Sequence, residues 1–172
     1  MAELFGYIDA QHEVLRAAYE SVPVEKRAVR PAPDVWSATD VLGHLTIVEG
    51  MMAGMFADKV KAARDAGLAQ EQDDSPILLT LKIDAVLDRT RKISASDTAK
   101  PANLPEPATW EDYEQTRAKL KSALLMGDGL ALGTVSHPHR AFGPIDLYTW
   151  IAFAGAHAAR HAAQIREVGQ TV

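Results

Sequence analysis

Apolar side chains recur along this chain at the spacing of helices. From about residue 3 to 21, Phe5, Ile8, His12, Leu15 and Tyr19 share one face at the i, i+3, i+4, i+7 interval of an amphipathic helix. The proline-containing stretch Val22 to Val35 ends that helix and reads as a linker. Ser37-Ala-Thr-Asp40 then has the form of a capping box, the serine covering free backbone N–H groups while the aspartate reaches back. The helix it opens carries Val41, Leu45, Val48, Met52 and Met55 as its apolar stripe and should persist to about Arg64. Gly67 and the polar, acidic stretch Gln70 to Ser75 close it.

A shorter helix is predicted from Pro76 to Ile93, with proline in the first turn, where a missing N–H costs little. The prolines within Lys100 to Pro107 demand a loop. Thr109-Trp-Glu-Asp112 opens a further helix with Tyr113, Leu120 and Leu124 on its inner face. Gly127 to Gly143, rich in Gly, Pro and His, reads as an irregular connection. Asp146 caps a final helix that reaches about Val168, just before Gly169. No alternating run of strand length occurs, and no period of 20 to 50 residues recurs. The pattern therefore predicts an all-α fold: a four-helix bundle with one extra short helix, formed as a single domain over residues 1–172.

Composition narrows the function. A content of 47% apolar and 24% charged residues is that of a folded globular chain. A net charge of −5 argues against a nucleic-acid footprint, which needs a basic excess or stripe. The N-terminus carries acids where a signal peptide would carry lysines, so a cytoplasmic location is expected. Between Arg140 and Arg160 the only formally charged side chain is Asp146. Gly143-Pro144 breaks that segment and leaves about 14 residues, too few for a membrane span of roughly 20. There is no cysteine, which excludes disulfides, thiolate metal sites and thiol nucleophiles; any metal site must use histidine and carboxylates.

The histidines are the main candidates for chemistry. His157 and His161 stand four apart on the last helix, so their rings lie one turn apart on one face, at the edge of its apolar stripe. His44 flanks the stripe of the second helix in the same way. Such rings can converge on a metal ion between facing helices, or can simply be buried core residues; spacing alone does not join His44 to the pair. Arg117 and Tyr113, on the inner stripe of one helix, are candidates to assist catalysis. Arg117 could clamp a substrate carboxylate, or pack its stem while its head meets an acid. His12 fits a core or supporting role. Asp40 and Gln164 each lie one turn from a candidate ligand and could orient it, although Asp40 is also needed in the cap. Glu49 lies about 140° around the helix from His44 and is not a candidate ligand or base. His137 and His139 read as exposed loop residues. Trp150 is either a core aromatic or a wall beside His157.

Trp36-Ser-Ala-Thr-Asp-Val-Leu-Gly-His44-Leu45 resembles the second-helix signature of the DinB/YfiT-like superfamily. His137-Pro138 followed by Gly143, and then His157-Ala-Ala-Arg-His161-Ala-Ala-Gln-Ile165, resembles its C-terminal signature. The resemblance spans nearly the whole chain. It implies a four-helix bundle of the DinB/YfiT type in which His44, His157 and His161 hold one divalent ion, zinc or nickel. Three protein ligands leave one coordination position open, the mark of a reactive site. The resemblance further implies a metal-dependent hydrolase, or a transferase that uses a low-molecular-weight thiol such as bacillithiol, mycothiol or glutathione, acting on a small molecule as a homodimer. The alternative is a non-catalytic, metal-braced binding or stress-associated bundle.

Overall fold

The computed structural model describes residues 1–81, 83–90 and 93–172. Four long helices dominate it: α1 (Ala2–Glu20), α2 (Ala38–Asp65), α4 (Trp110–Leu125) and α5 (Leu147–Thr171), with the single-turn α3 (Asp84–Leu87) between α2 and α4. The predicted starts of α2, α4 and α5 are those observed. Ser37 Oγ accepts the Asp40 N–H at 3.0 Å, and the Asp40 carboxylate accepts the Ser37 N–H at 2.9 Å. Thr109 and Asp112 repeat this box at α4. The Asp146 carboxylate accepts the Thr149 N–H at the head of α5. Each cap satisfies donors that a helix start leaves without intrahelical partners.

α1 packs along α5 and α2 along α4, and α2 also meets α5. The first pair comes close at Gly155, where a Cβ would come within 2.5 Å of the Tyr7 ring. The apolar interior forms two clusters. One gathers Leu4, Ile8, Met52, Phe56, Leu120 and Ile151; the other gathers Leu15, Leu45, Tyr113, Ala158 and Ile165. His12, Glu49 and Arg117 occupy the sequence positions between the two sets on α1, α2 and α4, and they form a polar layer across the bundle.

Two expectations are corrected. The segment Pro76 to Ile93 is not one helix, and Lys82, Arg91 and Lys92 lie outside the described residues. What is described is a 3-10 turn at Leu78–Thr80, an extended Leu81 and the single turn α3. Partners outside the segment take its backbone groups. The Glu3 carboxylate accepts the N–H groups of Ile77 and Leu78, while Arg160 donates to the carbonyls of Val86 and Asp88. Second, the connection before α5 contains a two-stranded antiparallel hairpin, β1 (Ser136–His139) and β2 (Gly143–Asp146). Pro138 stands opposite Pro144 in it, a rung without backbone donors, which explains why its sequence does not look like strand. Gly143, at φ +71, supplies the left-handed residue at the end of its turn. Within the predicted loop Lys100 to Pro107, Pro101–Asn103 forms a 3-10 turn. No described helix is long and apolar enough to cross a membrane.

Candidate metal centre

Where α2 meets α5, His44, His157 and His161 come together. One ring nitrogen from each lies within 4.8 Å of the other two. The Nε2 of His157 is 3.1 Å from that of His161 and 3.4 Å from that of His44. The one-turn spacing on α5 supplies the pair, and the packing of α2 against α5 brings His44 to face it.

The far side of two rings is held. His44 Nδ1 donates to the Ala99 carbonyl at 2.7 Å. A carbonyl only accepts, so the proton sits on Nδ1 and the Nε2 lone pair is free to coordinate. His161 Nδ1 stands 2.7 Å from Gln164 Oε1, which orients that ring in the same sense. Trp36 packs against the His44 ring at 5.1 Å, and Phe153 stacks on His157 at 5.1 Å and 17°. Burial lowers the His44 pKa against the pull of the Ala99 carbonyl. Burial and the neighbouring His161 and His44 rings push His157 well below the ordinary value. His161 is pushed down to about 3, chiefly by burial and then by His44. All three rings are therefore neutral at pH 7, the state a metal requires.

The donor set fits a small divalent cation. With metal–nitrogen bonds of about 2.0–2.1 Å, tetrahedral geometry separates the ligand nitrogens by roughly 3.3–3.4 Å. Two of the separations, 3.1 and 3.4 Å, lie close to that spacing. A cation placed between the three nitrogens would be met by each lone pair turned toward it.

All three histidines line one cavity of about 670 Å³, set between α2, α5, the hairpin and the segment around residues 93–99. Trp150 is buried and also walls this cavity, with its Nε1–H donated to the His137 carbonyl, so both of its expected roles hold together. His139 is half-buried rather than exposed. It stacks on Phe142 at 4.7 Å and lies 4.6 Å from Phe153, and burial lowers its pKa. His137, likewise half-buried, contacts Trp150. The hairpin that the sequence does not signal is what carries both inward. Neither the Ala99 carbonyl nor the Phe153 wall was singled out from sequence, since a backbone acceptor has no residue signature.

Arg117 and Tyr113 are brought to a different place. Both are buried, and both bond the carboxylate of the buried Glu49; neither lines the cavity. The Arg117 head thus meets an acid, and Glu49 faces α4 rather than the histidines. Burial pushes the Glu49 carboxyl upward against the pull of Arg117. His12 stacks on Tyr113 at 5.7 Å beside this pair, away from the three-histidine cluster. Asp40 is engaged by Ser37 and by two guanidinium nitrogens of Arg30, so of the two candidate orienting residues Gln164 is the one at a candidate ligand.

A sequence model of the DinB superfamily matches residues 7–165. The chain is also similar to the uncharacterized protein YuaE of Bacillus subtilis (strain 168), at 25% identity over 150 residues covering 86% of each chain. No solved structure matches the chain.

Proposed function

This chain belongs to the DinB superfamily, and we propose that its three histidines hold one divalent ion, zinc or nickel, as the centre of a metal-dependent enzyme acting on a small molecule. The observation that carries the proposal is the convergence of three neutral Nε2 atoms at the wall of a cavity. A divalent ion held on three protein ligands supplies Lewis-acid chemistry at its open position, which favours hydrolysis or activation of a thiol. The chain's own residues do the rest. Ala99 and Gln164 hold the His44 and His161 rings in the coordinating tautomer, and Trp36 and Phe153 fix the planes of His44 and His157. The absence of cysteine suits a reaction in which the thiol is a reactant rather than a side chain, and transfer of a low-molecular-weight thiol is the preferred reading over hydrolysis.

The test begins with metal content. Protein supplied with zinc or nickel should carry about one equivalent by elemental analysis, and His44→Ala and His157→Ala should carry background amounts. Equal metal in all three would sink the site. Consumption of bacillithiol, mycothiol or glutathione with an electrophile then tests the chemistry, and activity retained by the triple alanine variant would rule it out. The second reading, a purely bracing ion, is favoured by the position of the centre between α2 and α5. It predicts metal-dependent stability without turnover.

A further inference from the structure

One cavity reaches all three histidines. A second cavity, of about 970 Å³, touches only His161 among them, and it also holds Gln164, the partner of that ring's Nδ1. It therefore lies behind the ligand. The 670 Å³ cavity touches all three rings and is of the size that small-molecule sites occupy, roughly 300–1,000 Å³. Of the two cavities, this is the one that gives a reactant access to all three rings.

Apolar side chains make up most of that cavity's wall, beside Ser94, Ser96, Arg140 and Arg160, and they are of two kinds. On α2, Met51, Met52 and Met55 present flexible, polarisable thioethers. Opposite them, Trp150, Phe153 and His139 present ring faces and edges, with ring centroids 4.6 to 5.5 Å apart. Phe153 continues the ring wall directly to His157. Among the described lining residues none is acidic. The two arginines donate to main-chain carbonyls, Arg140 to Ser94, and Arg160 to Val86 and Asp88. Met51 is 53% exposed at this site, an apolar side chain held in water beside an apolar cavity.

We propose that the reactant admitted to the three-histidine centre carries an uncharged aromatic group, seated between the α2 methionines and the Trp150–Phe153–His139 wall. Aromatic rings favour offset or edge contacts with such a wall, and methionines adapt to flat ligands of differing outline. This deepens the metal-centre reading and rests on it for the reacting end of the ligand. The cavity itself can be tested without metal.

The probe is N-phenyl-1-naphthylamine, a neutral dye that brightens in apolar surroundings. Wild-type protein should bind one equivalent saturably, with or without zinc. Met51→Glu and Met55→Glu, which place a carboxylate at the methionine wall, should weaken binding at least tenfold. Val24→Glu, at a position 73% exposed and outside the cavity, should stay within twofold of wild type. In a second arm, 4-phenylimidazole should bind zinc-loaded protein at least tenfold more tightly than imidazole does, because its ring fills the wall while its nitrogen meets the metal. The inference is overturned by no saturable dye binding, by wild-type affinity in both glutamate variants, or by no gain from the phenyl group. Tenfold tighter binding of the sulfonated dye 1-anilinonaphthalene-8-sulfonate would also overturn it, in favour of an anionic amphiphile. The two readings fail separately. His44→Ala should lose zinc and keep the dye, so a wild type without zinc refutes the metal centre while the dye titration still decides the cavity.

Discussion

An imidazole offers a metal only the nitrogen that carries no proton, so the contact at the far nitrogen decides whether the ring is usable. In this protein that contact is a main-chain carbonyl for His44 and a side-chain amide for His161. The second can be removed by substitution. Gln164→Leu should lower zinc affinity by about 10- to 100-fold, the usual effect of losing such an orienting partner. Gln164→Glu, which keeps an acceptor, should retain most of it. Competition with a chromogenic chelator would measure both; wild-type affinity in the leucine variant would mean that packing alone holds the ring. At this scale the pairing of His157 with His161 and the place of Gln164 beside them were legible in the sequence, because helix periodicity fixes which residues lie one turn apart. It was silent on Ala99, which acts through its backbone.

The helices carry a second polar feature, unrelated to the cavity. Glu49 of α2 and Arg117 of α4 form a buried ion pair beside Tyr113 and His12, between the two apolar clusters. Removing one partner of such a pair strands the other charge, at a cost of about 3–5 kcal/mol, whereas an apolar replacement of both is often near neutral. Arg117→Met should therefore destabilise the fold by about that much, and adding Glu49→Leu should recover most of the loss. Urea unfolding of the single and double variants would check this, and an additive double variant would refute the coupling. From the sequence Arg117 was a charged residue on an inner stripe, open to either a substrate or an acid. The choice needed the packing of α2 against α4, because Glu49 lies 68 residues away along the chain. Local signals also failed in the segment from Pro76 and in the β1–β2 hairpin. Their backbone groups bond to Glu3, to Arg160 and to each other across the hairpin, and such partners leave little trace in a window of neighbouring residues.

Across the whole molecule, α1 pairs with α5 and α2 with α4, and the three-histidine centre joins one pair to the other through α2 and α5. A metal held there would tie the two halves together and be released on unfolding. Zinc at 100 times its Kd should stabilise the fold by about 2.7 kcal/mol, and a chelator should reverse this. Thermal unfolding should show a rise in Tm in the wild type and none in His44→Ala; an equal rise in both would place the stabilising ion elsewhere.

The sequence by itself determined the caps, the four long helices, the all-α class and the faces on which His44, His157 and His161 lie. Each of these depends on residues within a few positions of one another, through helical periodicity and hydrogen bonds between near neighbours. Tertiary structure alone decided that His44 meets the α5 pair, that Arg117 answers to Glu49, and that a hairpin turns His137 and His139 inward to wall a cavity. Those outcomes depend on groups far apart in the chain and on backbone acceptors, which become neighbours only when the helices pack.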